Sequence, residues 1–236
     1  MKWKTFFKNN KHLLLLLLLP VYFIYFFFAE KLVPSDGEYF VVYSPLDDKI
    51  PFVESFVIFY YVWYAMLALA GIYPLLKGDK GAFVRYILII YITFFGSVTF
   101  GLIFPNGQNL RPDLATLGRE NVFTRLIAGL YEADTCTNVL PSMHVMGSFA
   151  CVFAVMDAKG FPKWGVVVMA ILAVGVSAST VLIKQHSIVD VYAGLAVIAV
   201  VGAAMYAKRI AGYLQAKKAN KNTANSAGDC PSATNE

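Results

Sequence analysis

The sequence predicts an all-α membrane protein: a polytopic helical bundle of six transmembrane helices with both termini in the cytoplasm. Three observations predict it. Of the 236 residues, 58% are hydrophobic and only 15% are charged, too little polar side chain to cover a surface facing water. The mean hydropathy is +0.59, and the apolar residues gather in runs close to the roughly 20 residues that a bilayer crossing needs. The basic residues fall in short stretches between those runs, where cytoplasmic loops retain Lys and Arg.

The first run, Leu13–Ala29, follows Lys2, Lys4, Lys8 and Lys11. A secretory signal has an apolar core of about 7–15 residues and a small-residue cleavage site. This run is longer and ends Phe26-Phe27-Phe28-Ala29-Glu30-Lys31, so it reads as an uncleaved first span. The later runs are Phe52–Leu76, Phe83–Phe104, Pro141–Met156, Trp164–Ile183 and Ser187–Ala207, the fourth being the shortest. With the N-terminus inside, fourteen of the twenty Lys and Arg residues fall on the cytoplasmic side, as the positive-inside rule asks. Residues 1–207 then form one membrane domain with its candidate chemistry between 105 and 190. Residues 208–236 are small and polar, a composition read as a disordered cytoplasmic tail.

Net charge +5 and a pI near 9.0 invite a nucleic-acid reading, but the bases never form one soluble face, so nucleic acid is not an expected partner. Cys136, Cys151 and Cys230 lie in an outer loop, a span and the tail, which makes a disulfide improbable. No metal-ligand spacing is present, and no metal or cofactor is expected.

Chemistry concentrates at two of the three histidines. His144 lies in Leu140-Pro141-Ser142-Met143-His144-Val145 at the start of the fourth span, and His186 in Lys184-Gln185-His186-Ser187-Ile188-Val189-Asp190 between the fifth and sixth. The chain crosses the membrane twice between them, so both return to the same, outer face. An ionisable group at such a place marks a functional site by default. Asp190 stands four residues after His186, on one face of the expected sixth helix, where a carboxylate can hold the Nδ1 proton and leave Nε2 free. Pro141 suits the first position of a helix, which would leave the amides around Ser142 and His144 as donors for an anion. The outer loop between residues 106 and 140 holds Arg111-Pro112 and a repeat of apolar pairs, Val122-Phe123, Leu126-Ile127 and Leu130-Tyr131, behind Asn121. That pattern predicts a short interfacial helix with an Asn cap. Arg119 and Arg125 lie beside it as alternative basic ligands.

Together these residues resemble the type 2 phosphatidic acid phosphatase and haloperoxidase superfamily, whose motifs read K-x6-R-P, P-S-G-H and S-R-x5-H-x3-D. Arg111-Pro112 is similar to the end of the first, Pro141-Ser142-Met143-His144 to the second, and Ser179-Thr180 with His186 and Asp190 to the third. Phe104 stands where the first Lys belongs, Met143 replaces Gly, and Thr180 replaces the third-motif Arg. The resemblance implies a lipid phosphatase in which His186 attacks phosphorus, Asp190 orients it and His144 serves as acid and base. It further implies phosphate ligands among Arg111, Ser142, Ser179 and Lys184, the last substituting for the missing Arg. Pro-Ser-x-His-Val followed by His-x3-Asp-Val is also similar to inositol phosphorylceramide synthase-like phosphotransferases, which pass the phospho-group to an alcohol. A non-catalytic carrier with a degenerate site is the remaining alternative. The expected substrate is a lipid phosphate, with membrane lipids as surroundings and the oligomeric state open.

Overall fold

A computed structural model of the chain describes residues 10–33 and 37–228. Eight helices carry the fold: α1 (Lys11–Leu32, 3-10 as far as Leu17), α2 (Pro45–Lys49), α3 (Glu54–Leu76, opening on a 3-10 turn), α4 (Lys80–Ile103), α5 (Val122–Ala133), α6 (Met143–Asp157), α7 (Lys163–Leu182) and α8 (Ile188–Gly228). Five of them, α1, α3, α4, α7 and the Ile188–Ala207 part of α8, are long and apolar enough to cross a membrane. Their outward faces carry exposed Phe23, Ile24, Ile58, Leu69, Val167, Ile171 and Val200. A water-soluble bundle would bury such residues; lipid solvates them.

Helix α6 is apolar but has only 15 residues. At 1.5 Å per residue it rises about 22 Å, short of the roughly 30 Å hydrocarbon core. It tolerates that shortness because it occupies the middle of the bundle, packed against α7, α4, α3 and α8. Val145, Met146, Ala150 and Cys151 on it are fully buried. The structure therefore supports five spans by length, with α6 as the inner helix among α3, α4, α7 and α8.

Two boundaries differ from those read in the sequence. Helix α8 continues to Gly228, through much of the segment expected to be an unfolded tail. Its Ala, Lys, Leu and Gln residues favour helix, and no Pro interrupts them before Pro231. Residues 229–236 and Cys230 lie outside the described part. Helix α7 stops at Leu182 and α8 begins only at Ile188, which moves His186 from the expected sixth helix into the turn before it.

Connections knit together at one end of the bundle, here called the site end. Strand β1 (Phe40–Val41) pairs in parallel with β2 (Asn106–Gly107), and Gly107 also bridges Thr137. A Cβ at Gly107 would stand 2.6 Å from the Tyr39 ring and 2.8 Å from the Cys136 carbonyl, so only glycine lets the three loops close on one another. Helix α5 starts where the sequence predicts: the Asn121 side chain accepts from Phe123 N and Thr124 N at 2.9 and 3.0 Å. It lays Ile127 and Leu130 against Val57, Tyr60 and Ile183, and so roofs the site end.

Candidate active site

His144 enters the site on the first turn of α6. Ser142 caps that helix, its Oγ accepting from Val145 N at 3.5 Å. The helix starts two residues later than the Pro141 start expected from sequence, because the approach is held from outside. Asn106 Oδ1 accepts from Leu140 N at 2.9 Å, and the Pro141 carbonyl accepts from Ser97 Oγ at 2.8 Å. The Ser142 amide, expected to be free for an anion, donates to the Asp190 carbonyl at 3.3 Å. Gly194 permits that approach, since a Cβ there would lie 3.0 Å from the Ser142 carbonyl. The His144 ring packs against Tyr60 and Trp63 of α3, with centroids 4.3 and 4.4 Å away. Gly147 makes room for this wall, as its Cβ would meet Trp63 Nε1 at 2.9 Å and the Phe94 ring at 3.0 Å.

His186 sits in the turn from α7 to α8. Lys184 adopts a left-handed backbone (φ 56°), and the amides of Gln185 and His186 both donate to the Thr180 carbonyl, at 2.8 and 3.0 Å. Ser187 then caps α8 by accepting from Val189 N at 3.2 Å, while Asp190 Oδ2 accepts from Ser187 N at 3.0 Å. This is a reciprocal capping box. Asp47 of α2 completes it, taking Ser187 Oγ–H at 2.6 Å and Ile188 N–H at 2.8 Å. Two carboxylates thus already neutralise the positive end of α8.

These two segments bring together the three residues expected to carry the chemistry. His186 Nδ1 lies 3.2 Å from Asp190 Oδ2, and His186 Nε2 lies 3.3 Å from His144 Nδ1. Asp190 is completely buried and the two histidines nearly so. A carboxylate can only accept, so Nδ1 of His186 carries the proton and Nε2 presents its lone pair towards His144. The second Asp190 oxygen, Oδ1, is buried without a hydrogen-bond partner. That leaves the carboxylate's charge committed to the histidine and the helix cap.

The residues expected to hold phosphate are placed differently. Lys184 points away from the histidines, its ammonium donating to the carbonyls of Asp47 and Ile50 at 2.7 and 2.6 Å. It cannot share a helix face with Thr180, because α7 ends between them. Burial pulls its pKa below the ordinary Lys value against the opposing pull of Asp47 and Asp48. Ser179 Oγ donates back into its own helix, to the Val176 carbonyl at 2.7 Å. Arg111 stacks on the Tyr131 ring at 4.4 Å and donates to the carbonyls of Tyr131, Asp134 and Thr135, and to Gln185 Oε1 at 2.9 Å. Arg119 and Arg125 are taken up by Glu54 and Glu120 at the surface.

A cavity of about 20 Å³ adjoins both histidines, large enough for one water. Its wall includes Glu30, Asp134, Thr135, Asn138 and Gln185, and no Lys or Arg. Asp134 accepts from Tyr60 Oη at 2.7 Å and from Gln185 Nε2 at 2.8 Å. Glu30 accepts from Thr135 Oγ1 and, at 3.1 Å, from Asn138 Nδ2. Sequence reading missed these two carboxylates, Gln185, Tyr60 and Trp63, and the Asp47 clamp. For Asp47 a partial signal existed, since Ser187-Ile188-Val189-Asp190 is a legible cap, but its partner lies 140 residues away.

The class that the fold defines is a bundle of apolar helices long enough to cross a membrane, whose inner helix and neighbouring turn bring two histidines and a buried aspartate into line. The family follows directly: the profile of the PAP2 superfamily matches residues 82–211, and the chain belongs to that superfamily. The matched stretch spans α4 to α8 and contains all three aligned residues. No curated protein and no solved structure matches the chain.

Proposed function

We propose that the protein is a phosphoesterase that cleaves a lipid phosphate or diphosphate through a phosphohistidine on His186. The observation that carries this reading is the Asp190–His186–His144 line. The His186 Nε2 lone pair attacks phosphorus and the bond to the lipid or diphosphate oxygen breaks. Asp190 balances the imidazolium that forms. His144, as imidazolium, hands its proton to the leaving oxygen, then removes a proton from the water that attacks the P–N bond. The 3.3 Å contact between the rings must part as the phosphoryl group enters. Arg111, which donates to Gln185 Oε1 at 2.9 Å, supplies positive charge from behind that residue. The chemistry asks for no metal ion, and turnover should persist in EDTA.

The reading includes six spans, with both termini cytoplasmic and the histidines at the extracytoplasmic interface. The distribution of Lys and Arg supports it, and α6 supplies the sixth crossing from the middle of the bundle. In sealed cells carrying Cys136→Ser, Asn109→Cys should react with an impermeant thiol reagent. Labelling only after lysis would place the site on the cytoplasmic side.

Glu30 and Asp134 favour a second reading, transfer to an alcohol. Two carboxylates beside the histidines oppose a phosphate dianion less if the substrate is a singly charged phosphodiester, and they can accept hydrogen bonds from an acceptor's hydroxyls. Purified protein given a panel of lipid phosphates and phosphodiesters, with and without polyol acceptors, decides between the two by free phosphate against transfer product.

A further inference from the structure

A second cavity, of about 570 Å³, opens from the same histidine, within the size range of small-molecule sites. His144, Met143 and Asp134 close its upper end, and its walls come from α1, α3 and α4. Along α3 the wall runs from Trp63 to Leu75, and along α4 from Phe94 to Phe83. At 1.5 Å per residue those stretches descend about 18 and 16 Å, the thickness of one leaflet of a hydrocarbon core of about 30 Å. Three tyrosines in the wall turn their hydroxyls into the protein: Tyr22 to Met143 Sδ, Tyr86 to the Leu67 carbonyl and Tyr91 to the Leu15 carbonyl. Their hydroxyls are thus engaged within the protein, and the wall away from the Asp134 and His144 end is mostly apolar. On the rim Phe23 and Phe27 of α1 and Tyr64 and Ile72 of α3 are more than half exposed, so the cavity opens sideways between α1 and α3.

From this geometry we infer that the cavity is a tail subsite: it takes a single hydrocarbon chain of the substrate lipid, admitted sideways from the membrane, while the phosphorus end stays at His186. The inference rests on the lipid-phosphoesterase reading for its headgroup end. The apolar walls, the depth of one leaflet and the shared His144 end all ask for a guest that is polar at one tip only. Ala68 and Gly71, both in the wall, lie about 7 and 12 Å below Trp63 along α3. They act as successive depth marks.

The test uses the full chain in detergent and a series of n-alkyl monophosphates from butyl to hexadecyl. In the native protein kcat/KM should rise at least about tenfold along the series. Ala68→Trp should stop that rise at a shorter chain than Gly71→Trp, while each keeps butyl phosphate turnover within about twofold. Unchanged chain-length profiles in both variants overturn the tail subsite. A turnover-independent measurement accompanies it: hexadecylphosphonate carrying a terminal diazirine should, on irradiation, label the far ends of α3 and α4. Labelling confined to lipid-facing residues such as Ile171 overturns the subsite whether or not the enzyme turns over. Labelling of the far ends in a protein that hydrolyses no alkyl phosphate upholds the subsite and defeats the hydrolytic reading alone.

Discussion

The two ends of the bundle differ in whether their enclosed carboxylates meet cations. At the far end Asp157 meets cations, Arg85 at 2.6 Å and Arg209, and Asp79 caps α4 through Ala82 N while holding Lys159 N at 3.2 Å. At the site end Asp190, Asp47, Asp134 and Glu30 meet imidazole, hydroxyl, amide and backbone N–H. Among the described residues no Lys or Arg forms an ion pair with any of these four. Ion pairing fixes geometry but cancels the field a carboxylate can exert. A carboxylate held only by neutral donors stays available to stabilise charge as it develops on a neighbour. Asp157 therefore fastens the far end, while the site-end carboxylates leave uncancelled negative charge beside His186.

The sharpest way to break this contrast is to remove each member of the line. His186→Ala and His144→Ala should each lower turnover on the order of a thousandfold or more, and the double variant should be no slower than the slower single, because the pair acts as one unit. A double variant much slower than either single would dissolve the assignment. Asp190→Asn should cost roughly a hundredfold or more with KM little changed, since it keeps the volume but loses the charge that orients the ring. The matching change at the far end, Asp157→Asn, should leave turnover per folded molecule unchanged and lower stability by about 1–3 kcal/mol. Thermal unfolding in detergent alongside initial rates separates the two. If Asp157→Asn lost activity without losing stability, the division between fastening and catalytic ends would fail.

Much of this was legible in the sequence, for reasons that can be named. Long apolar runs announce α1, α3, α4, α7 and α8 because lipid imposes a minimum length. Asn121 with three apolar pairs announces α5, because capping is local chemistry. The meeting of His144, His186 and Asp190 was legible because the family's motif spacing marks them. Lys184 misled because its direction depends on where α7 ends. That end is set by the Thr180 carbonyl collecting two amides and by the Ser187–Asp190 cap, not by the apolar pattern. Glu30 and Asp134 could not be read at all, and Asp47 only through the cap that it completes. Each becomes part of the site only through a partner at least 50 residues distant: Thr135 for Glu30, Tyr60 for Asp134, Ser187 for Asp47. Nothing in the local sequence of a lone acid records such a meeting.

The Asp47 clamp offers a subtler test, because it acts on His186 without touching it. Asp47→Ala removes the acceptor of both Ser187 Oγ and Ile188 N, freeing the turn that carries His186. Turnover should fall about tenfold with KM nearly constant, and Asp47→Asn, which keeps one carbonyl acceptor, should recover part of it. A purely structural acid would lower the folded fraction equally in both variants and leave kcat per folded molecule alone.

The smallest expected effect belongs to Lys184. Two donors of its ammonium go to carbonyls of the segment that carries Asp47, so it steadies the clamp from the other side. Lys184→Gln should therefore reduce turnover only a few-fold and stability by about 1 kcal/mol, less than the roughly 1.5–3 kcal/mol of one charged hydrogen bond because the Gln amide can still donate to one of the two carbonyls. A phosphate ligand would behave otherwise. Its loss should be severe, and Thr180→Arg should then rescue a Lys184→Ala protein by restoring charge at the family's usual position. Thr180 is fully buried and its hydroxyl donates to the Ser177 carbonyl at 2.8 Å, so an arginine there has no space and should destabilise without rescue. Rescue in that double variant would show that the turn rearranges when substrate binds and brings position 184 to the phosphate. The contrast between the two ends would then lose its strict form, since a cation would enter the site after all.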